Sequence, residues 1–225
     1  EKGAVQAAYF GKRVALVERA PHFGGAGLNT GTIPSKTLRE SALYYSGLRQ
    51  RGLYGIDYSL KEGLTVRQFM HRERAVVEQG RDAIARNLQR HGVEVVHGTA
   101  TLADARTVRV TAGDGEAREL SAPIILVATG SSPHRPAEIP FGHPLIHDSD
   151  EILDIDRIPR TLAVVGGGVI GAEYASVFTA LGARVTLVES RDRILPFVDR
   201  ELTTRLARRL ESIGLRLLLG TRVDR

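Results

Sequence analysis

Leu162-Ala163-Val164-Val165-Gly166-Gly167-Gly168-Val169-Ile170-Gly171-Ala172-Glu173-Tyr174-Ala175-Ser176-Val177-Phe178 decides the fold. Its first four residues are a short, uncharged apolar run suited to a buried parallel strand, and the last seven have helical apolar spacing. Between them lies a Gly-x-Gly-x-x-Gly turn. Gly166 makes the tight bend, Gly168 lets backbone approach a pyrophosphate, and Gly171 lets helix and strand pack closely. The N–H groups of Gly168, Val169 and Ile170 are left facing the phosphates. A second strand, Arg184-Val185-Thr186-Leu187-Val188, ends in Glu189, eighteen residues past Gly171. A carboxylate there can accept ribose hydroxyls, so strand, turn, helix, strand and acid together predict a dinucleotide site. Arg191 and Arg193 follow closely, and either guanidinium could reach a 2′-phosphate, which would let the site take NADP(H) as well as NAD(H).

The same unit recurs upstream. Gly11-Lys12-Arg13-Val14-Ala15-Leu16-Val17-Glu18 matches Gly182-Ala183-Arg184-Val185-Thr186-Leu187-Val188-Glu189 at six of eight positions, at a constant offset of 171. Carried back by that offset, Gly171 falls one residue before Glu1. The chain is therefore expected to be a fragment, with residues 1–10 the remainder of a phosphate-binding helix and Glu18, followed by Arg19, the ribose acid of a first nucleotide.

Composition narrows the class. The 225 residues carry 31 Lys and Arg against 26 Asp and Glu, but the basic residues of 67–90 are interrupted by Glu73, Glu78 and Asp82. No aromatic platform accompanies them, so a solvated helix face is expected rather than a nucleic-acid surface. There is no apolar run of membrane-spanning length and no secretory leader pattern, and a cytoplasmic location is expected. The chain has no cysteine, hence no disulfide and no thiolate relay. Its seven histidines lack metal-ligand spacing, so no metal is expected.

Beyond Glu18, Gly24, Gly25, Gly27 and Gly31 place four glycines in eight residues, letting backbone lie against a flat or phosphorylated ligand. A helix over 36–48, entered near Pro34 or Ser35 with Ser35 as its cap, follows. A helix over 65–91 closes at Gly92. Strands are expected at 93–96 and 107–110, with Gly113-Asp114-Gly115 turning a hairpin. Ile124-Ile125-Leu126-Val127-Ala128-Thr129-Gly130 reads as another buried parallel strand. Residues 131–160 hold five prolines and read as a connector. A helix over 199–212 and a strand over 215–219 end the pattern. Lys36 and Glu173, taken as residues alone, read as a helix-end charge and a solvated helix residue.

Gly24-Gly25-Ala26-Gly27-Leu28-Asn29-Thr30-Gly31-Thr32-Ile33-Pro34-Ser35-Lys36 resembles the active-site segment of the FAD-dependent pyridine nucleotide–disulfide oxidoreductases. Within them, the Gly-Thr-Ile-Pro-Ser-Lys form and the 140–150 segment are most similar to the soluble transhydrogenases. The resemblance implies an α/β fold of two Rossmann-like FAD/NAD(P)-binding domains, the second inserted in the first, with a small antiparallel β element. Its expected bounds are an FAD-binding domain at 1–135, a linker at 136–160 and an NAD(P)-binding domain at 161–225. It implies FAD along Glu18, Arg19, Gly24, Gly25, Gly27 and Thr32, covered by Ala128, Thr129 and Gly130. The resemblance also implies that Lys36 stands beside flavin N5, paired with Glu173. A C-terminal dimerisation domain outside the fragment would make the full-length protein a homo-oligomer.

In that family two cysteines occupy the positions of Gly27 and Thr32. With neither present, a flavin is left as the electron carrier, and a hydride from one nicotinamide leaves to a second acceptor. Hydride transfer from NADPH through FAD to NAD⁺ leads. An NAD(P)H oxidase or quinone reductase, a dihydrolipoamide dehydrogenase-like flavoprotein without dithiol and an idle flavin scaffold remain open.

Overall fold

The computed structural model describes residues 1–50 and 70–223. They form two compact units, one from 1–32 and 75–134, the other from described residues within 33–74 and 135–225.

In the first unit, helix α1 (Lys2–Tyr9) runs into strand β1 (Ala15–Glu18). β1 pairs in parallel with β2 (Glu94–His97), Leu16 opposite Val95 and Glu18 opposite His97. A parallel pair needs a long crossover. The chain between them holds α2 (Gly25–Asn29), then α3 (Thr32–Gln50), whose residues from 33 on belong to the second unit, and α4 (His71–Arg90), which re-enters the first unit at residue 75 and is closed by Gly92 at φ +63°. The part of the 65–91 helix expected before Met70 lies outside the described residues. Leu28 is buried against Gly80, where an added Cβ would lie 2.6 Å from Leu28 Cδ1. Gly98, at φ +154°, then redirects the chain from β2 into an antiparallel meander. Its strands are β3 (Thr99–Leu102), β4 (Thr107–Thr111) and β5 (Ala117–Ser121). Gly113-Asp114-Gly115 turns β4 into β5, and Val110 is buried beneath the meander.

Residues 124–130 form no strand, contrary to the sequence expectation. Ile124, Leu126 and Val127 are exposed. Among the described residues β1 and β2 pair only with each other, so each keeps an unpaired outer edge that 124–130 does not take up. Apolar composition alone therefore does not produce a strand here.

The second unit is built on the parallel sheet β6 (Thr161–Val165), β7 (Arg184–Val188) and β8 (Arg216–Leu218), in that order. Helix α5 (Val169–Ala180) connects β6 to β7, and α6 (Arg200–Ser212) connects β7 to β8. Asp199 caps α6 by accepting the N–H groups of Glu201 and Leu202. The core gathers Tyr174, Ala175, Val177 and Phe178 of α5 with Val185, Leu187, Leu210 and Leu215. Leu38 and Ala42 of α3 and Met70 join the same core. Each large apolar side chain buried there contributes about 1.5–3 kcal/mol. Ser35, expected as a cap, sits inside the first turns of α3 because the helix starts earlier, at Thr32. Pro34 is tolerated there, since first-turn N–H groups have no intrahelical acceptor.

The connector into β6 is latched within this unit. Arg135 Nε donates to Asp148 Oδ2 at 2.7 Å, Arg135 Nη2 donates to Glu151 Oε1 at 2.6 Å, and the guanidinium lies 5.3 Å from the Phe141 ring centre. Asp148 Oδ1 accepts the N–H groups of Asp150 and Glu151, both at 2.9 Å. Burial pushes the Asp148 carboxyl up. The Glu151 N–H, the Arg135 guanidinium and the Asp150 N–H outweigh it and hold the group below the usual carboxylate range. A carboxyl more acidic folded than unfolded adds stability above its unfolded pKa and loses it as pH falls through the folded one. Asp148→Asn is therefore expected to lower stability by about 1–2 kcal/mol at pH 7, through lost charge assistance. The urea midpoints of the two proteins should converge as pH falls below the ordinary carboxylate range.

No helix among the described residues is long and apolar enough to cross a membrane.

Candidate functional site: a glycine turn and a lysine–glutamate pair

β6 ends at Val165, and Gly166 turns the chain at φ +103°, a conformation that side-chain-bearing residues rarely adopt. Its N–H donates to Val188 O at 2.8 Å, which ties the turn to the end of β7. At Gly171 an added Cβ would overlap the carbonyl oxygen of Gly166. That glycine lets α5 start directly against the turn. Gly168, at the N-cap, has open space where its Cβ would be, and no side chain caps the helix. Val169 and Ile170 beside it are each 56% exposed. The first-turn N–H groups of a helix have no intrahelical partner and carry the positive end of its dipole. An open glycine cradle before an uncapped helix fits a pyrophosphate group.

Glu189 closes the turn from the end of β7. Its Oε2 accepts the Gly167 N–H at 2.6 Å, and its Oε1 accepts the Arg191 N–H at 2.9 Å and the Ser190 hydroxyl at 3.2 Å. Burial pushes this carboxyl up, but the Arg191 and Gly167 N–H bonds and the Ser190 hydroxyl prevail and keep it below the ordinary range. It is ionised at neutral pH. The Arg191 guanidinium is 63% exposed, with Nη1 4.0 Å from Glu189 Oε1. Arg193 instead donates to the Pro196 carbonyl at 2.5 Å.

In the same unit, Lys36 Nζ of α3 donates to both carboxylate oxygens of Glu173 on α5, at 2.6 and 2.9 Å. Lys36 and Glu173 are 137 residues apart, and the lysine side chain stays 55% exposed. An accessible cation is thus held by a carboxylate four residues from Val169, the uncapped start of α5. Next to Glu173, the Tyr174 hydroxyl donates to Ser149 O at 3.2 Å.

In the first unit Glu18 is half-buried, and its Oε1 accepts the Ala20 N–H at 2.9 Å, the counterpart of the Glu189–Arg191 bond. The internal repeat therefore extends to hydrogen bonding. Arg19 is exposed and, with His97, Gly98, Thr99, Thr111, Ala112 and Gly113, lines a shallow cavity of about 270 Å³. Gly24 and Gly25 have φ of +103° and +55° and lead into α2, so the glycine stretch contains a short helix. Asn29 braces it, donating from Nδ2 to the carbonyls of Phe23 at 3.0 Å and Gly25 at 2.9 Å while its Oδ1 accepts from Arg81 Nε at 2.7 Å. Gly27 and Thr32 are exposed, as are Ala128, Thr129 and Gly130 in their irregular segment.

Sequence reasoning did not single out the Asn29–Arg81 brace, the Tyr174–Ser149 bond or the strut formed by Glu189 on Gly167. Each joins residues remote in sequence, and no local pattern marks them. Only the spacing of Glu189 from the turn signalled the last.

The family profile described as pyridine nucleotide-disulphide oxidoreductase matches residues 2–225. A soluble pyridine nucleotide transhydrogenase of Mycobacterium tuberculosis (strain H37Ra) is 41% identical over 226 residues, which is 99% of this chain and 48% of that protein. The protein of the same description from Colwellia psychrerythraea is 36% identical, over 100% of this chain and 48% of its own length. Among solved structures, LpdA of M. tuberculosis superposes with a TM-score of 0.86 at 31% identity, over 98% of this chain and 48% of that one. The HOCl-induced flavoprotein disulfide reductase RclA of Escherichia coli gives 0.82 at 30%, over 99% and 47%. The chain spans about half the length of the curated relatives it matches. With a profile match across nearly every residue and the glycine turn formed as its spacing requires, the chain belongs to the pyridine nucleotide-disulphide oxidoreductase family.

Proposed function

We propose that the protein is an FAD-dependent, soluble NAD(P)⁺ transhydrogenase, moving hydride between NADPH and NAD⁺. The observation that carries this reading is the bidentate Lys36–Glu173 pair in the unit that also holds the open glycine turn. The 41% identity to soluble transhydrogenases across 99% of the chain supports it. Its elements are an FAD-binding domain at 1–135, a linker at 136–160 and an NAD(P)-binding domain at 161–225. The nicotinamide nucleotide lies on Gly166, Gly168, Val169, Ile170 and Gly171, with Glu189 at its ribose and Arg191 beyond. FAD belongs with Glu18, Arg19, Gly24, Gly25, Gly27 and Thr32, and with Ala128, Thr129 and Gly130. When bound, it supplies the hydride carrier.

This chain's residues bind and orient. Lys36 is assigned to flavin N5 by family resemblance, where its ammonium stabilises developing negative charge, and Glu173 holds that ammonium in place. Gly27 and Thr32 offer no thiol, so no dithiol competes for the hydride. Cytoplasmic location and homo-oligomerisation of the full-length protein follow from the same family reading.

Stopped-flow spectroscopy of the FAD-loaded protein tests the assignment. NADPH is expected to bleach the flavin absorbance and NAD⁺ to restore it under anaerobic conditions. Failure of NAD⁺ to restore it, with rapid return on adding oxygen or a quinone, would replace transhydrogenation by an oxidase or quinone reductase activity.

Nucleotide choice is expected to rest on Arg191. Its guanidinium is exposed and has, among the described residues, no ion pair shorter than the 4.0 Å to Glu189 Oε1, whereas Arg193 donates to the Pro196 carbonyl. Arg191→Ala should weaken NADPH about tenfold more than NADH in equilibrium titrations, the worth of one charge-assisted contact. Arg193→Ala should change the ratio little.

A further inference from the structure

Glu189 is more constrained than a ribose acceptor needs to be. Its side chain is only 5% exposed. Its own N–H donates to Leu218 O at 2.9 Å, and its carbonyl accepts from Thr221 N at 3.0 Å. The backbone that carries the carboxylate is therefore fixed on both sides. Gly167, whose N–H the carboxylate accepts, is held from the other face as well. Its carbonyl accepts the N–H of Leu195 at 2.8 Å, and Leu195 adopts φ +47°. A Cβ at position 167 would lie 3.0 Å from Ile194 Cγ2 and 3.1 Å from Glu189 Oε2, so a side chain there would push on the carboxylate.

An ionised carboxylate offers about four lone-pair sites. The N–H groups of Gly167 and Arg191 and the Ser190 hydroxyl take three of them. One remains for a ribose hydroxyl.

We propose that Glu189 is chiefly a positioning residue. By accepting the Gly167 N–H it fixes the shape of the glycine turn for NADH and NADPH alike, and it takes a single ribose hydroxyl. The proposal rests on the nicotinamide-nucleotide reading of the turn. It also changes what Glu189 does for specificity. A residue acting only at the ribose would favour NADH, and its loss would spare NADPH. A strut under the pyrophosphate cradle supports both, and nucleotide choice passes to Arg191. The Gly167 N–H is, after the Arg191 N–H, one of the donors that keep the carboxyl acidic despite burial.

Glu189→Gln is the informative variant. It is nearly isosteric, but its amide oxygen can accept on one side only, and its NH₂ meets a donor on the other. NADH and 2′-deoxy-NADH are expected to lose affinity together, each by about tenfold or more, because a hydrogen bond to a buried charged acceptor is worth that much. In the nucleotide-free protein, the Gly167 amide should exchange hydrogen faster in the variant than in the wild type. A variant that weakens NADH and leaves 2′-deoxy-NADH unchanged would overturn the proposal. If the variant does not fold, the wild type decides. A protected Gly167 amide, with 2′-deoxy-NADH binding within about tenfold of NADH, supports the strut, and a deficit of about a hundredfold or more refutes it. Wild-type protein that binds neither nucleotide would sink the nucleotide-site reading itself, while Gly167 exchange would still report on the strut.

Discussion

Gly171→Ala is expected to weaken nicotinamide nucleotide binding by about a hundredfold or more while FAD content stays unchanged. The added Cβ would overlap the Gly166 carbonyl oxygen and sit 3.1 Å from its carbonyl carbon and 3.4 Å from Val164 Cγ1. The first two obstacles are backbone, so no rotamer change relieves them. Either α5 retreats from the turn or Gly166 leaves its φ of +103°, and both move the first-turn N–H groups off the pyrophosphate. Gly168→Ala is the control with the opposite logic. Its φ is −73° and nothing lies within 4 Å of the added Cβ, so the nucleotide-free protein should melt at the wild-type temperature. It should still lose affinity, because the methyl group occupies the space a pyrophosphate would approach. Calorimetric titration with NADH and a thermal melt of each variant separate the two cases. Wild-type affinity in Gly171→Ala would show that this turn is not where the nucleotide binds.

The second unit was legible in the sequence because its signals are local and agree with one another. Val164-Val165 before the turn, Gly166, Gly168 and Gly171 within it and Glu189 after it each have one job in one supersecondary unit, and the structure forms that unit with Leu162 opposite Val185. The Gly113–Gly115 hairpin was legible for the same reason. Residues 124–130 were not, since apolar composition states that a segment could be buried and says nothing about whether it docks on an edge, and here it stays exposed beside a sheet of only two strands among the described residues. The cap assigned to Ser35 fell four residues late, because Thr32 already starts the helix and the cap position is Gly31. At the candidate site, residue types were legible and partnerships were not. Glu189 was read as a ribose acceptor from its position after a strand. That its carboxylate turns back onto Gly167 depends on how β7 and the turn lie side by side, which no spacing encodes. The pairing of Lys36 with Glu173 came from family resemblance, since across 137 residues each is an unremarkable charge.

Lys36→Ala is expected to slow flavin reduction by NADPH about 100-fold to 1,000-fold, the usual loss when one preorganised group opposite developing charge is removed. FAD should remain bound, because the ribose and phosphate contacts assigned to it involve other residues. The geometry that motivates the magnitude is the bidentate hold of Glu173 on Nζ, at 2.6 and 2.9 Å, which fixes the ammonium before any hydride moves. An isolated surface lysine would spend part of that stabilisation on ordering four rotatable bonds. Glu173→Gln should therefore produce a smaller defect of the same kind, leaving the charge present but less well placed. The double variant should be no slower than Lys36→Ala alone, since Glu173 acts through the lysine. Single-turnover reduction at saturating NADPH reads the chemical step without product release. If Lys36→Ala reduces at the wild-type rate, the pair is an ordinary ion pair whose worth is bounded by the half-exposed lysine to about 1 kcal/mol or less of stability. Hydride transfer would then have to be assigned to other groups around the flavin.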